Sequence, residues 1–334
     1  MTKRKTNDNV LNQVIYINRE AVKGQGEDAY SFCFAGKNGN DNNRGMIGVF
    51  DGCGGIGAKQ YPNYHNRTAA YIASRIVSKA ALNWYEKRVM ADEKGMYAPA
   101  ETLAGGLREE MDRAISIARK ALDVKGEMLF GSLVRSFPTT AAIALMEKAA
   151  NSSLNCRFLW AGDSRGYILQ SNGLKQCTFD DLQANQDAFD NLYNDSPLSN
   201  LISGDKPYTI NMRKIACTLP AIVITATDGV FGYFQSPMHF EKMLVDTLME
   251  SASFAAWEAR LKAIFEMVSG DDSTIVMAVF GWKSYRDLQK DFSARRDELH
   301  SMLAGKNEEA QLRSIWREYK KVSVIEDTGR IEKL

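Results

Sequence analysis

Short apolar stretches separated by turn residues run through most of the chain and predict a fold rich in β-strands. Strands are predicted at residues 12–17, 28–34, 44–50, 139–146, 155–161, 165–170, 173–178, 208–217, 221–227 and 273–280. Between two of these strands, Asn172-Gly173 is a typical signal for a two-residue hairpin turn. The strands come in runs that do not alternate with helices, so the pattern favours an α+β fold.

Apolar residues at helical spacing predict helices over 66–90 and 101–124, and a long amphipathic helical region over 238–268. The polar segment 179–206, which contains Pro197 and Gly204, predicts loops or short helices.

The strand pattern ends at Trp282. Residues 283–334 predict one or two amphipathic helices joined near Gly305, supported by the acid-before-base pairs Asp291–Arg295 and Glu309–Arg313. We therefore expect a main domain over 1–282 and a helical C-terminal extension over 283–334. The apolar stripe of the extension packs on the main domain or binds a partner.

Composition excludes several classes of protein. The chain has 334 residues, a formal net charge of +1 and 25% charged residues, which argues against a general nucleic-acid binder or a polybasic membrane binder. The five cysteines have no paired or CxxC spacing, so neither a disulfide framework nor a structural zinc site is expected. With no signal-peptide pattern and no apolar segment long enough to cross a bilayer, we expect a cytoplasmic location.

Carboxylates occur repeatedly at the edges of the predicted apolar strands, at Asp28, Asp51, Asp163, Asp228, Asp271 and Asp272. Each taken alone has a simple explanation, since Asp-Gly is a common turn dipeptide. Together they would concentrate negative charge at one end of a sheet, which is costly unless cations neutralise it. Hard oxygen ligands select Mg²⁺ or Mn²⁺, so the acids alone predict a divalent metal site.

Six short motifs give these acids a context. They are, in order, Glu27-Asp28-Ala29, Asp51-Gly52-Cys53-Gly54-Gly55, Thr139-Thr140-Ala141, Gly162-Asp163-Ser164-Arg165, Thr227-Asp228-Gly229 and Gly270-Asp271-Asp272-Ser273-Thr274. Any one is weak, but the ordered set resembles the metal-dependent Ser/Thr protein phosphatases of the type 2C, or PPM, family. The resemblance covers residues 19–281 and implies a sandwich of two antiparallel β-sheets flanked by helices, with a binuclear metal site at one edge.

The resemblance also implies roles for individual residues. Asp51 would bridge two Mg²⁺ or Mn²⁺ ions, the Gly52 carbonyl would bind one of them, and Asp228 and Asp271 would complete the other. Asp28 and Glu27 would act nearby through waters, and Asp163 would contribute to a third, weaker metal. Phosphoserine or phosphothreonine in a protein substrate would then be hydrolysed by direct attack of a water bridged between the two metals, with Asp51, Asp228 and Asp271 as the catalytic residues.

Four positions depart from the family pattern. Cys53 replaces the usual His, which in the family is thought to protonate the leaving group; a thiol is a poorer general acid near neutral pH. Lys23 stands where the family usually has a phosphate-binding Arg, and keeps the charge without the bidentate fork. Gly232 replaces a frequent acid, which leaves the third metal to Asp163. Asp272 stands where Asn is usual, and either tightens metal binding or caps a turn.

Two other functions stay open. These departures are compatible with a phosphatase fold that turns over weakly or not at all and binds a partner, with the extension as a possible docking element. An unrelated metal-binding or structural α+β protein is the third hypothesis. Metal-dependent hydrolysis separates the first reading from the second.

Overall fold

The computed structural model describes residues 11–35, 44–92, 95–122, 135–149, 152–184, 187–194 and 196–323. The predicted helix end at 123–124 and the end of the extension at 324–334 lie outside these residues. The strands are β1 Leu11–Arg19, β2 Ala29–Ala35, β3 Arg44–Phe50, β4 Gln60–Tyr61, β5 Arg67–Thr68, β6 Ala141–Lys148, β7 Ser153–Ala161, β8 Arg165–Gln170, β9 Gly173–Gln176, β10 Asn211–Thr218, β11 Ala221–Ala226 and β12 Ser273–Phe280. The α-helices are α1 Ala69–Trp84, α2 Ala100–Ala121, α3 Asp228–Phe231, α4 Pro237–Met249, α5 Phe254–Val268, α6 Tyr285–Leu303 and α7 Glu309–Ser323.

Two five-stranded antiparallel sheets face each other. One has the strand order β1-β12-β11-β8-β9 and the other β10-β7-β6-β3-β2. Alternate side chains of both sheets, including Ile47, Phe158 and Val276, form the core between them. The outer face of the first sheet packs on α4–α7, and that of the second on α1 and α2. The predicted α+β sandwich flanked by helices is therefore confirmed.

Local signals explain where several elements begin. Thr68 caps α1 by accepting a hydrogen bond from the Tyr71 amide at 3.0 Å. The predicted helical region 238–268 is two helices, because the chain turns after α4 and Ser253 caps α5 through the Ala256 amide at 3.2 Å. The helix predicted over 66–90 is α-helical from Ala69 to Trp84 and continues as a π-helical turn over Tyr85–Met90.

The helices of the extension, α6 and α7, pack on the main body. Leu288, Phe292 and Leu299 of α6 are buried in the cluster that also contains α4. The predicted pair Asp291–Arg295 is wrong, because Arg295 turns inward to a buried carboxylate, Glu241 of α4, with bonds of 2.7 and 2.9 Å. Asp291 instead accepts a hydrogen bond from Trp282.

The second predicted pair, Glu309–Arg313, is confirmed at 2.7 Å. The domain boundary at residue 282 stays a prediction. Across the described residues, no helix has both the length and the apolar character needed to cross a membrane.

Candidate active site

The predicted carboxylates come together at one end of the sandwich. Asp51 follows β3 and Asp163 follows β7, and these two strands point the same way because β6 lies antiparallel between them. Asp28 precedes β2, which runs antiparallel to β3, so it begins at the same end. In the facing sheet, Asp228 follows β11 and Asp271 precedes the antiparallel β12. Chain direction therefore places all five at one edge.

Hydroxyl groups of the motifs tie the two sheets together beside these acids. Thr227 donates its hydroxyl to Asp28 Oδ2 at 2.9 Å, which joins the end of β11 to the start of β2. Thr139 donates to the Asp51 carbonyl at 2.6 Å. Thr140 Oγ1 lies 2.7 Å from Ser164 Oγ. Only the first of these bonds uses a carboxylate oxygen; the other two use the Asp51 carbonyl and hydroxyl groups.

Burial and mutual repulsion shift the pKa values of these acids upward. Burial, followed by the charges of Asp28 and Asp228, raises the pKa of Asp51 well above its usual range. Burial and the charge of Asp228 raise the pKa of Asp163 to about 8. Burial likewise raises the pKa of Asp28, against the opposing effect of hydrogen bonds from Thr274 and Thr227. The cluster therefore holds negative charge poorly unless a cation is bound.

The chemistry of the donors fits a divalent cation, although they do not form a ready-made cage. Among the described residues, no three His, Cys, Asp or Glu side chains come close enough to hold a metal by themselves. Mg²⁺ is usually bound through one or two carboxylates and keeps several waters, so a tight cage is not required. Burial raises the pKa of Asp51, Asp163 and Asp28, and the charge of Asp228 raises the pKa of all three further. That the Gly52 carbonyl is a ligand stays a prediction.

The loop between β1 and β2 carries Lys23, Glu27 and Asp28 and is held by Asp272. Asp272 Oδ1 accepts from the Ala21 amide at 2.7 Å, and Oδ2 accepts from the Glu27 amide at 2.6 Å. Lys23 is exposed in this loop. Of the two roles left open for Asp272, the structure supports the one in backbone capping, although it caps a neighbouring loop and not its own turn.

Two arginines beside this loop were not identified from the sequence. Arg75 of α1 donates to the carbonyls of Gly26 at 2.9 Å and Glu27 at 3.1 Å, and Arg67 donates to the carbonyl of Gly24. Both guanidinium groups lie on the ring of Tyr71. No motif spacing in the sequence marks them, because their partners are backbone carbonyls brought close only by the fold.

Cys53 lies among the acids. Burial, followed by the charge of Asp51, raises the pKa of the Cys53 thiol well above its ordinary value. A thiol held neutral is not a nucleophile and is a weak proton donor near neutral pH.

Glycines allow the site loops to approach one another. A Cβ at Gly52 would lie 2.7 Å from the Ala70 carbonyl oxygen, and one at Gly229 would lie 1.8 Å from the Asp272 carbonyl oxygen. The second contact fixes the Asp228 loop against the loop that carries Asp271 and Asp272. These Gly positions of the motifs are therefore required by packing.

Beneath Asp163, a buried ion pair supports the site. Arg165 donates to Asp180 through two bonds of 2.8 and 2.6 Å, and both side chains are almost fully buried. Asp180 also accepts from Asn191 at 2.8 Å. The sequence indicated Arg165 as part of a motif but did not indicate Asp180, which lies in the polar segment 179–206.

Comparison by sequence finds no matching protein family and no matching curated protein. Comparison of the structure does find relatives in fold. A bacterial serine phosphatase superposes with a TM-score of 0.60 at 15% identity, covering 81% of this chain and 99% of the phosphatase. Stp1, a serine/threonine phosphatase of Staphylococcus aureus, gives 0.57 at 15% identity over 84% of this chain and 100% of its own. The serine/threonine phosphatase PstP/Ppp of Mycobacterium tuberculosis gives 0.53 at 17% identity over 82% and 100%.

These identities are low, so the comparisons establish the fold. The chain has the fold of the PPM-type Ser/Thr phosphatases, as its ordered motifs indicated. Metal dependence, turnover and the roles of single residues stay predictions.

Proposed function

We propose that this protein is a metal-dependent phosphatase that removes phosphate from phosphoserine or phosphothreonine in proteins. The observation that carries the proposal is the meeting of Asp28, Asp51, Asp163 and Asp228 at one end of the sandwich, where burial and the charge of Asp228 raise the pKa of the other three. Carboxylates this close together repel one another, and bound divalent cations would neutralise that repulsion. The fold of known Ser/Thr phosphatases makes phosphoester hydrolysis the matching chemistry.

In this proposal Asp51, Asp228 and Asp271 hold two Mg²⁺ or Mn²⁺ ions, with Gly52, Glu27 and Asp28 assisting and Asp163 serving a weaker third ion. Bound divalent cations would lower the pKa of a water and stabilise charge developing on the phosphoryl oxygens.

The protein side chains orient this site. The Thr227–Asp28 bond fixes the two sheets relative to each other, and Asp272 fixes the loop that presents Lys23 to an incoming phosphate.

A second candidate function rests on Cys53. Because its thiol is held neutral, the site lacks the proton donor that the family pattern provides, and an alkyl leaving group departs with less assistance. The protein would then retain phosphoprotein binding with slow turnover.

The test measures phosphate release from a phosphothreonine peptide and from p-nitrophenyl phosphate, with Mn²⁺ or with a chelator. Wild type is compared with Asp228→Asn and with the matched control Asp297→Asn, which changes an exposed carboxylate on α6. Hydrolysis that requires Mn²⁺, persists in the control and falls by about a hundredfold or more in Asp228→Asn supports the proposal. Binding of Mn²⁺ and phosphopeptide without turnover would favour the second function. A folded wild type that binds no Mn²⁺ would contradict both.

A further inference from the structure

Helix α7 of the extension contacts the polar segment that lines the carboxylate pocket. This wall segment, residues 187–194, contains one short 3₁₀ turn. Trp316 donates its indole N–H to Asp187 Oδ2 at 2.8 Å, and Lys320 Nζ donates to the same oxygen at 2.9 Å. Partial burial opposes ionisation of Asp187, but these hydrogen bonds prevail and lower its pKa, so the carboxylate is charged at neutral pH.

A second contact lies one turn earlier on α7. Arg313 donates to Asp190, and its guanidinium lies 4.9 Å from the ring centre of Phe189. The buried Phe189 ring contacts the Trp316 ring at a centroid distance of 6.3 Å. Apolar burial and charged hydrogen bonds thus act on the same few residues of the wall segment.

The other side of the wall segment faces the proposed catalytic pocket. A cavity of about 440 Å³ is lined by Asn191 and Tyr193 together with Asp163, Asp228 and Asp271. Its size suits a phosphorylated side chain with part of the neighbouring peptide. The wall segment is therefore the element that joins α7 to the carboxylates.

Rigid links connect the two sides. Phe189 stacks on Tyr193 at a centroid distance of 5.3 Å, and the Tyr193 hydroxyl donates to the Gln235 carbonyl at 2.8 Å. Asn191 donates to Asp180, which holds Arg165 beneath Asp163. Tyr193 nevertheless keeps 45% of its surface exposed, so its ring remains available to a ligand.

We infer that Tyr193 is a specificity-determining residue for peptide substrates and that α7 positions it through Trp316, Lys320 and Arg313. The inference rests on the proposed function. The Tyr193 ring contacts residues that flank the phosphorylated amino acid, whereas the phosphate itself would bind to the divalent cations held by the carboxylates. A phosphopeptide uses this wall, and a small aryl phosphate does not.

The experiment compares kcat/KM for a phosphothreonine peptide with that for p-nitrophenyl phosphate, using the full chain with Mn²⁺. Tyr193→Ala removes the ring from the pocket. The double variant Trp316→Phe, Lys320→Ala removes both side-chain donors of α7 to Asp187 Oδ2 while keeping an apolar ring at 316. Lys321→Ala is the matched control, because Lys321 pairs with Glu318 on the exposed side of α7.

Both Tyr193→Ala and the double variant should lower the peptide-to-aryl ratio about fivefold or more, through a higher peptide KM. The kcat of the double variant for p-nitrophenyl phosphate and all values for Lys321→Ala should stay within about twofold of wild type. Hydrogen exchange supplies a readout that needs no activity. The Phe189 and Asp190 amides both donate to Asp187 Oδ1 at 3.1 Å, so they should exchange faster in the double variant.

The outcomes separate the two proposals. An unchanged ratio in an active enzyme would overturn this inference alone, even if exchange becomes faster. Unchanged exchange in the double variant would show that α7 does not hold the wall segment. A wild type that hydrolyses neither substrate would overturn the proposed function, and this inference with it.

Discussion

The Asp272 carboxylate accepts a hydrogen bond from the Glu27 amide at 2.6 Å, across 245 residues of sequence. Its other oxygen accepts from the Ala21 amide. A carboxylate provides two acceptors here, whereas the Asn of the family pattern would provide one acceptor and one donor. The carboxylate at this position therefore holds the loop that carries Lys23 and Glu27 in place.

Replacing Asp272 should loosen that loop. We expect Asp272→Ala to lower the free energy of unfolding by about 1–3 kcal/mol, since two backbone donors lose a charged acceptor. Asp272→Asn should fall between Ala and wild type. Denaturant unfolding measures the stability, and the KM for a phosphopeptide reports the position of Lys23. A KM unchanged in Asp272→Ala would show that the loop does not present a phosphate-binding group.

The stability of the metal-free protein should depend on pH. The pKa of Asp163 is raised to about 8 by burial and the charge of Asp228, and a carboxyl with a raised pKa stabilises the fold in its protonated form. That contribution is complete below the unfolded pKa near 4 and is lost as pH rises through about 8. Without metal, the melting temperature should fall by several degrees between about pH 5.5 and 8.5.

Two controls identify the source of that pH dependence. Asp163→Asn, which does not titrate, should make the melting temperature of the metal-free protein less dependent on pH. Mn²⁺ should raise the melting temperature most at the alkaline end, where the carboxylates are ionised. Scanning calorimetry with chelator and with Mn²⁺ measures both. A melting temperature that rises with pH in the chelated protein would contradict the origin assigned here.

Cys53 gives a direct test of leaving-group assistance. Cys53→Ala should retain hydrolysis of both substrates within about threefold, because a neutral thiol contributes little as acid or nucleophile. Cys53→His should accelerate phosphothreonine hydrolysis by about tenfold or more, with a smaller effect on p-nitrophenyl phosphate, whose leaving group needs less protonation. Steady-state kinetics near neutral pH measure both. A large loss in Cys53→Ala would instead assign the thiol a chemical role.

Breaking the buried ion pair Arg295–Glu241 should strongly lower the free energy of unfolding. Arg295 and Glu241 keep 4% and 0% of their side-chain surface exposed, and the Tyr319 hydroxyl of α7 also donates to Glu241. Arg295→Met leaves a buried carboxylate without its cation and should cost about 3–5 kcal/mol in unfolding free energy. The double variant Arg295→Met, Glu241→Leu should recover much of this loss. Urea unfolding measures the free energy of unfolding of both variants. If the single and double variants lose the same amount, the destabilisation comes from altered packing and not from an unpaired charge.

The strands and the edge carboxylates could be predicted because their signals are local. Asp51 and Asp228 each follow an apolar strand directly, so their place in the sequence indicates their place on the sheet. The break at 250–253 could not be predicted in the same way, since apolar spacing continues across it. Ser253 marks the new helix only once the chain is known to turn there.

The missed contacts join elements far apart in the chain. Arg295 was assigned to Asp291, four residues away, and pairs instead with Glu241 on another helix. Asp180 lies in a polar segment with no periodicity. Its role depends on the buried ion pair that it forms with Arg165, which the fold brings beside it. Arg67 and Arg75 bind backbone carbonyls, which no side-chain motif records. Such contacts depend on how helices and loops meet after folding.

The strand order has a consequence for the order of synthesis. β1, which leaves the ribosome before the other described strands, pairs with β12, which is made after more than 250 further residues. Until β12 is made, the described partner strand of β1 is missing, and so is Asp271 of the acid cluster. The proposed site is therefore incomplete while most of these residues are being translated. Folding must bring the first strand and the twelfth together before the proposed phosphatase activity can begin.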